Sequence, residues 1–158
     1  MSRIGKKPIS VPGNVKVAIN ASDRTIGVDG PKGKLSFNFR PEVDVAWNED
    51  DKEIVCSIDE ALMKSKPARA QWGTTRSRIQ NMVEGVTNGY MKKIEIVGVG
   101  WNAQAQGKTL RLNIGYCHPI DMTPPEGVDF AIDAQVVTIT GPDKQAVGQF
   151  AAECRSKR

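Results

Sequence analysis

The sequence predicts an α+β fold of two tandem, similar small domains, each a mostly antiparallel sheet packed with a helix. Several short segments alternate apolar and polar residues, as half-buried strands do. Two longer segments instead repeat their apolar residues at helical spacing. In addition, a stretch near the start of the chain recurs near its end without a gap. Such a repeat is typical of internal duplication of a sheet-and-helix domain.

The repeat relates the segment beginning at Lys7 to the segment beginning at His118. The two read KPISVPGNVKVAINASDRTIGVDGPK and HPIDMTPPEGVDFAIDAQVVTITGPD. The alternative is a chance similarity between two strand pairs. In the first copy two more strands precede the helix, whereas in the second the helix follows at once. The strands at 92–116 therefore have to complete the second sheet from the other side, and we predict domains at 1–82 and 83–158.

The first domain starts with alternating strands and ends in a helix. The predicted strands are VKVAIN, TIGV, KLSFNF, VDVAW and EIVCSI, with the acidic NEDDKE as a turn. Helical periodicity begins after Pro67, a residue suited to a first helical turn. Asn88 and Gly89 supply the stop signal.

The second domain shows two long strands, two shorter ones and a final helix. The long strands are MKKIEIVGVGWNAQA and TLRLNIGYC, and the shorter ones are VDFAID and VVTITG. Asp143 is a good N-cap residue. The stripe of the helix that follows consists of Val147, Phe150, Ala151 and Cys154.

One motif could indicate a cofactor. Gly98, Gly100 and Ala103 form G-x-G-x-x-A, the pattern of a dinucleotide-binding turn. That site needs a helix to begin at the glycines, because the pyrophosphate rests on the helix N-terminus. A strand and a turn follow instead, so we predict no bound NAD and interpret the glycines as a bulge or kink in a long strand.

Composition and cysteine usage narrow the functional class. The chain has 158 residues, 39% of them hydrophobic, and no apolar run as long as a membrane span. With no signal-peptide pattern at the N-terminus, we expect a cytoplasmic protein without a membrane or DNA partner. Cys56, Cys117, Cys154 and His118 are too scattered for a zinc site or a disulfide framework. We predict no metal, no cofactor and partly buried thiols.

The sequence also argues against an enzyme. Nucleophilic catalysis needs a base beside the nucleophile. Cys117 and His118 are neighbours on a predicted strand, where adjacent side chains point to opposite faces. The carboxylates cluster in an acidic loop without apolar surroundings to shift their pKa values. We therefore predict a protein without catalytic residues.

Charge is segregated along the chain. From Glu42 to Glu60 there are eight acidic residues and one basic residue, whereas no acidic residue occurs from Ala61 to Val83. Both termini are basic. Segregation of this kind favours a polyanion partner, and the alternative is a patchy solvated surface.

Six blocks, in order and covering nearly the whole chain, together resemble one family. They are IGKKPISVP, VDGPKGKL, GTTRSRIQNMVEGV, KKIEIVGVGWNAQ, LRLNIGYCHPI and ITGPDKQAVGQFAAECR. The sequence is similar to the bacterial form of ribosomal protein L-six, of the large ribosomal subunit. The resemblance implies a structural, non-catalytic protein of two tandem α+β domains. It also implies binding to large-subunit ribosomal RNA near the sarcin–ricin loop and stalk base, beside neighbouring ribosomal proteins and the landing site of translational GTPases.

One departure concerns the C-terminus. Members of that family continue with a basic tail of the form P-E-P-Y-K-G-K-G, whereas this sequence stops at Arg158. Either the tail lies outside the sequence or this member lacks it, so we assign no contact to it. The alternative function is a basic-faced, protein-binding adaptor with no RNA role.

Cations, hydroxyls and one small residue are the predicted RNA contacts. They are Arg3, Lys6 and Lys7 before the first strand, Thr74, Thr75, Arg76 and Arg78 on the first helix, and Lys144, Gly148, Arg155, Lys157 and Arg158 on or after the last. We expect the N-terminal segment to be mobile in the free protein, with no apolar pattern to fold around. On the last helix, Ala152 completes a face of two small residues between two cations. The alternatives are a solvated face for the first helix and a covering helix or loop for Gly148.

Overall fold

A computed structural model describes residues 3–157, so the predicted contact of Arg158 lies outside the described residues. The chain divides into two compact units, the first ending at Asn88 and the second beginning at Gly89. The boundary predicted between residues 82 and 83 is therefore wrong, because it falls inside a helix that runs on to Asn88. Within residues 3–157 no helix is both long enough and apolar enough to cross a membrane.

The first unit builds two antiparallel sheets from its alternating segments. Its strands are β1 (Ile9–Ser10), β2 (Lys16–Asn20), β3 (Thr25–Gly30), β4 (Gly33–Asn38), β5 (Asp44–Asn48) and β6 (Glu53–Ser57). In the described residues one sheet has the order β2-β3-β4 and the other has the order β1-β6-β5. A short 3-10 helix, Glu60–Lys64, leads into the first α-helix.

The helix α1 spans Lys66–Asn88, with Pro67 in its first turn as predicted. Gly89 follows it at a φ of +77°, in the left-handed region that glycine adopts without steric cost. One face of α1 is buried and packs on β3, β4 and β6. Trp72 in this face donates its indole N–H to the carbonyl of Cys56 on β6 over 2.8 Å. That bond satisfies the polar atom of a buried aromatic side chain.

The second unit uses the same elements in a different order. Its strands are β7 (Tyr90–Glu95), β8 (Asn102–Gln106), β9 (Thr109–Asn113), β10 (Ile120–Met122), β11 (Asp129–Asp133) and β12 (Val136–Gly141), followed by α2 (Lys144–Ser156). In the described residues the sheets have the orders β11-β12-β7 and β10-β9-β8, all antiparallel. Each corresponds to one sheet of the first unit, with β7 in the place of β4. The strands before β10 thus complete the second unit from the other side, as predicted.

The repeat in sequence is also a repeat in structure. β3 and β12 begin and end at positions that the sequence repeat pairs with each other. The carbonyls of Arg24 and Gln135, also paired by the repeat, accept hydrogen bonds from Phe39 and Ile96 over 2.9 and 2.8 Å. α2 packs on β7 and β12, the counterparts of β4 and β3 under α1. The predicted α+β duplication is confirmed.

Two predicted long strands are wrong. The segment predicted as one strand across 91–105 is β7 and β8, which belong to different sheets. Gly98 and Gly100 lie in the loop between them, where the N–H of Trp101 reaches the carbonyl of Gly98 over 3.4 Å. The chain leaves one sheet here and enters the other, which a regular strand cannot do. The next strand ends at Asn113 instead of Cys117, and a turn follows.

The glycine of each glycine–proline pair contacts a helix or a neighbouring backbone too closely to carry a side chain. A Cβ on Gly30 would lie 2.8 Å from Cγ2 and 2.9 Å from the carbonyl oxygen of Val86, on α1. A Cβ on Gly141 would lie 2.8 Å from the carbonyl oxygen of Gly127 and 3.0 Å from Cγ2 of Val147, on α2. Neither of these repeated positions has room for a side chain.

Replacing either glycine by alanine should destabilise its own unit by about 1–3 kcal/mol, the usual cost of overpacking. Gly27→Ala on the same strand as Gly30 is the matched control, since its Cβ would meet only the Ala18 carbonyl oxygen at 3.8 Å. Urea unfolding with hydrogen exchange read by mass spectrometry should show lost protection before Gly89 for Gly30→Ala and after it for Gly141→Ala. Parent-like stability of either variant would contradict the close contact.

Candidate nucleic-acid interface

The outward face of α1 carries a shallow basic groove. Thr74 and Arg78, two of the predicted RNA contacts, are exposed. They line the groove together with the residues Ile4, Arg69, Gly73 and Ser77. Glycine inside a helix costs about 1 kcal/mol relative to alanine. Here Gly73 keeps the groove open between two arginines.

Arg78 is held in place by the sheet beneath α1. Its guanidinium carbon lies 5.2 Å from the centre of the Phe37 ring, within the range of a cation–π contact. Phe37 is on β4 and packs against the core of the first unit. A guanidinium fixed in this way loses little further side-chain freedom when an anion binds.

Two of the predicted contacts on α1 have structural roles instead. Thr75 is only 2% exposed, because it lies on the buried face of the helix, so its prediction as an RNA contact is wrong. Arg76 donates from Nε to the carbonyl of Lys7 over 3.1 Å and from a terminal nitrogen to the carbonyl of Pro8 over 3.2 Å. It also donates to the side chain of Gln80. These bonds aim the guanidinium of Arg76 at the N-terminal segment, and we therefore remove it from the candidate surface.

The N-terminal segment is packed on α1. Gly5 is buried, and a Cβ at this position would lie 2.5 Å from the ring of Trp72. Together with the bonds from Arg76, this contact corrects the expectation of a segment with nothing to fold around. The side chains of Arg3, Lys6 and Lys7 are exposed. Ile4 lines the α1 groove, and the N–H of Lys7 donates to the Ile4 carbonyl over 3.2 Å, so this segment adjoins the groove.

The outward face of α2 is open and basic. Asp143 caps the helix by accepting from the N–H of Gln145 over 2.8 Å, as predicted from the sequence. Lys144, Ala152, Arg155 and Lys157 are exposed. A Cβ on Gly148 would meet no atom of the described chain within 4 Å outside its own helix turn, so no helix or loop of these residues covers it.

The N-terminal end of this face is held by an aromatic ring. The ammonium of Lys144 lies 5.5 Å from the centre of the Tyr90 ring, on β7. The opposite side of α2 buries Val147, Phe150 and Cys154. Of the predicted stripe only Ala151 is partly exposed. Burial of the stripe leaves the basic face pointing away from the core.

The cysteines do not form a reactive or metal-binding cluster. Burial raises the pKa values of Cys56 and Cys154 to about 11, so both stay protonated near neutral pH. Cys117 is exposed, contrary to the expectation of partly buried thiols, because it lies in the turn after β9. Its Sγ is 3.5 Å from Nδ1 of His118, so the prediction that these side chains point apart is also wrong. In residues 3–157 no three His, Cys, Asp or Glu side chains are placed to hold a metal ion.

Comparison with known proteins identifies the family. A family model described as Ribosomal protein L6 matches residues 11–89 and 97–158, one match in each unit. This chain belongs to that family. Large ribosomal subunit protein uL6 of Persephonella marina is 44% identical over all of this chain and 85% of the relative's length. The proteins of the same name from Rhodopirellula baltica and Halalkalibacterium halodurans are 48% and 45% identical, each over all of this chain and 85% of its own length.

Family membership confirms the coarse functional predictions. The chain is a structural constituent of the large ribosomal subunit, and the family's members are structural components, not enzymes. Its place is therefore in the ribosome, in the cytoplasm.

Sequence reasoning missed Arg69 and the ring beneath Arg78. Arg69, Gly73 and Ser77 recur every four residues, which puts them on one side of a helix. That spacing could have identified the groove. No pattern in the sequence could have paired Phe37 with Arg78, because the contact joins β4 to a distant helix.

Arg76→Gln should loosen the N-terminal segment, because it removes the bonds to the Lys7 and Pro8 carbonyls. We expect a loss of about 1–2 kcal/mol in unfolding free energy. Amide exchange over residues 4–10 should accelerate, measured by hydrogen–deuterium exchange. Arg78→Gln is the matched control, with a smaller loss and unchanged exchange over those residues. The same exchange pattern in both variants would refute the structural role of Arg76.

Proposed function

We propose that the chain binds large-subunit ribosomal RNA near the sarcin–ricin loop and stalk base, beside the landing site of translational GTPases. The resemblance of the six sequence blocks supports this location. The structural observation that supports RNA binding is the outward face of α2. There Lys144 and Arg155 flank the open surface at Gly148.

The α2 face suits a phosphate backbone for steric and electrostatic reasons. Gly148 and Ala152 let a strand of RNA approach the helix closely. Lys144, Arg155 and Lys157 supply positive charge on both sides of that approach. Cationic side chains on phosphates fix the position and register of a protein on a nucleic acid, without reading sequence.

The α1 groove offers a second contact. Arg69 and Arg78 supply the charge, Ser77 supplies a hydroxyl, and Gly73 leaves room. The Thr74 hydroxyl donates to the Ala70 carbonyl over 2.9 Å, so it is left to accept a hydrogen bond from a ribose hydroxyl. The exposed cations Arg3, Lys6 and Lys7 extend this surface past Ile4. A neighbouring ribosomal protein with an acidic surface is the other partner that this groove could accept.

The double variant Lys144→Gln, Arg155→Gln should bind large-subunit RNA with a shallower dependence of log K on log salt. Each lost phosphate contact should reduce the slope by roughly 0.7–0.9. Folding stability should change little, since both side chains are exposed. Affinity measured by filter binding across a salt series gives the slope.

Lys16→Gln with Lys52→Gln is the charge-matched control, because both lysines are exposed and lie outside the proposed surface. Gly148→Leu should weaken RNA binding by steric exclusion at unchanged charge. A parent-like slope for the Lys144 and Arg155 double variant would exclude α2 as the RNA-facing element. A parent protein that binds large subunits with no salt dependence would instead support the adaptor function.

A further inference from the structure

Two loops of the second unit lie side by side, joined by Trp101. The first loop connects β7 to β8, and the second follows β9. A Cβ on Gly98 of the first loop would overlap the Trp101 ring. A Cβ on Gly115 of the second loop would lie 3.1 Å from Nε1 of the same residue, and Gly115 has a φ of +87°. Both loops can approach the indole because they carry glycine at these positions.

These loops expose apolar and aromatic side chains to solvent. Val97, Val99 and Tyr116 are 74%, 103% and 52% exposed. The Tyr116 ring lies nearly parallel to that of His118, with centroids 6.3 Å apart and planes 26° apart. We call these four residues the loop platform. Exposed apolar patches of this kind mark interaction sites on soluble proteins.

The two loops of the loop platform carry no carboxylate that would repel an anionic partner. No Asp or Glu occurs in the first loop, from Ile96 to Trp101, or in the second, from Ile114 to Pro119. Arg111, on the strand between them, is already paired with Asp121 over 2.7 Å. An apolar cleft of about 230 Å³ opens beside the loops and is lined by Val97, Trp101 and Arg155. Glu95 also lines it. Arg155 belongs to the basic face of α2, so the loop platform is continuous with the surface proposed to bind phosphates.

We propose that the loop platform stacks an unpaired base of the bound RNA, while the α2 face holds the adjoining backbone. This inference rests on the proposed RNA-binding function and adds a base-binding site to it. Single-stranded bases stack on exposed Tyr and His rings whatever their sequence, because every base has a π-face. Val97 and Val99 provide an apolar surface beside the stacked base. A contact with phosphate alone would not need such a surface.

Stacking and phosphate binding leave different signatures in a salt series. Stacking adds affinity that does not involve counterion release, so its loss lowers K by the same factor at every salt concentration. Loss of a phosphate contact changes the slope instead. The two surfaces can therefore be tested separately in one experiment.

The test uses the full chain with a transcribed large-subunit RNA fragment across a salt series. Tyr116→Ala should weaken binding roughly 5- to 100-fold, the range of a lost base stack, at an unchanged slope. Tyr116→Phe should retain the parent affinity, because the ring remains. Val55→Ala, on β6, is the control for loss of an exposed apolar side chain and should also bind as the parent does.

Three results would overturn the inference in distinguishable ways. Parent-like binding by Tyr116→Ala, with a normal far-ultraviolet circular dichroism spectrum, would exclude the loop platform as a base-binding site. The proposed function would then stand. Loss of co-sedimentation with intact subunits at unchanged affinity for free RNA would make the partner a ribosomal protein. Failure of the parent chain itself to bind the RNA would overturn the proposed function as well.

Discussion

The contact between each helix and the glycine that ends its central strand constrains the rest of each unit. Gly30 lies against Val86 of α1, and Gly141 lies against Val147 of α2. A backbone oxygen limits the space at both glycines, that of Val86 on α1 for Gly30 and that of Gly127 before β11 for Gly141, so neither site can relax around a larger side chain. In the first unit the N–H of Lys32 also donates to the carbonyl of Val86 over 2.9 Å, which ties the turn after the glycine to the helix. The strands around these contacts are connected in a different order in the two units. The helices nevertheless lie on corresponding strands, α1 on β3 and β4 and α2 on β12 and β7.

Fixing the helices also determines which side chains the protein presents to a partner. Once the apolar face of α2 is buried, Lys144 and Arg155 point away from the core, and Tyr90 under the ammonium of Lys144 restricts its position. Phe37 has the same role under Arg78 on α1. In each unit a cation of the helix rests on an aromatic ring of the sheet. Both helices thus combine a rigid inner face with a basic outer face, the arrangement that a protein needs to hold folded RNA through phosphates.

Much of this fold follows from local patterns. Alternation located the strands of the first unit, and the cap at Asp143 and the stop at Gly89 located helix ends, because these signals depend on neighbouring residues only. The errors arose where distant parts of the chain decide the structure. The break near Gly98 requires knowledge that β7 and β8 join different sheets, and burial of Thr75 depends on the angle at which α1 meets the sheet. For the candidate site, charge segregation identified the basic helix faces, whereas the role of Arg76 depends on the folding of the N-terminus back onto α1.

An electron cryo-microscopy map of the large ribosomal subunit that contains this protein tests the central claim most directly. The claim is that the outward face of α2 is the RNA-binding surface, fixed by the packing of its opposite side. RNA phosphates should then lie within hydrogen-bond distance of Lys144 or Arg155, with backbone density passing over Gly148. A map in which this face points into open solvent, or is covered by a protein without RNA, would contradict it.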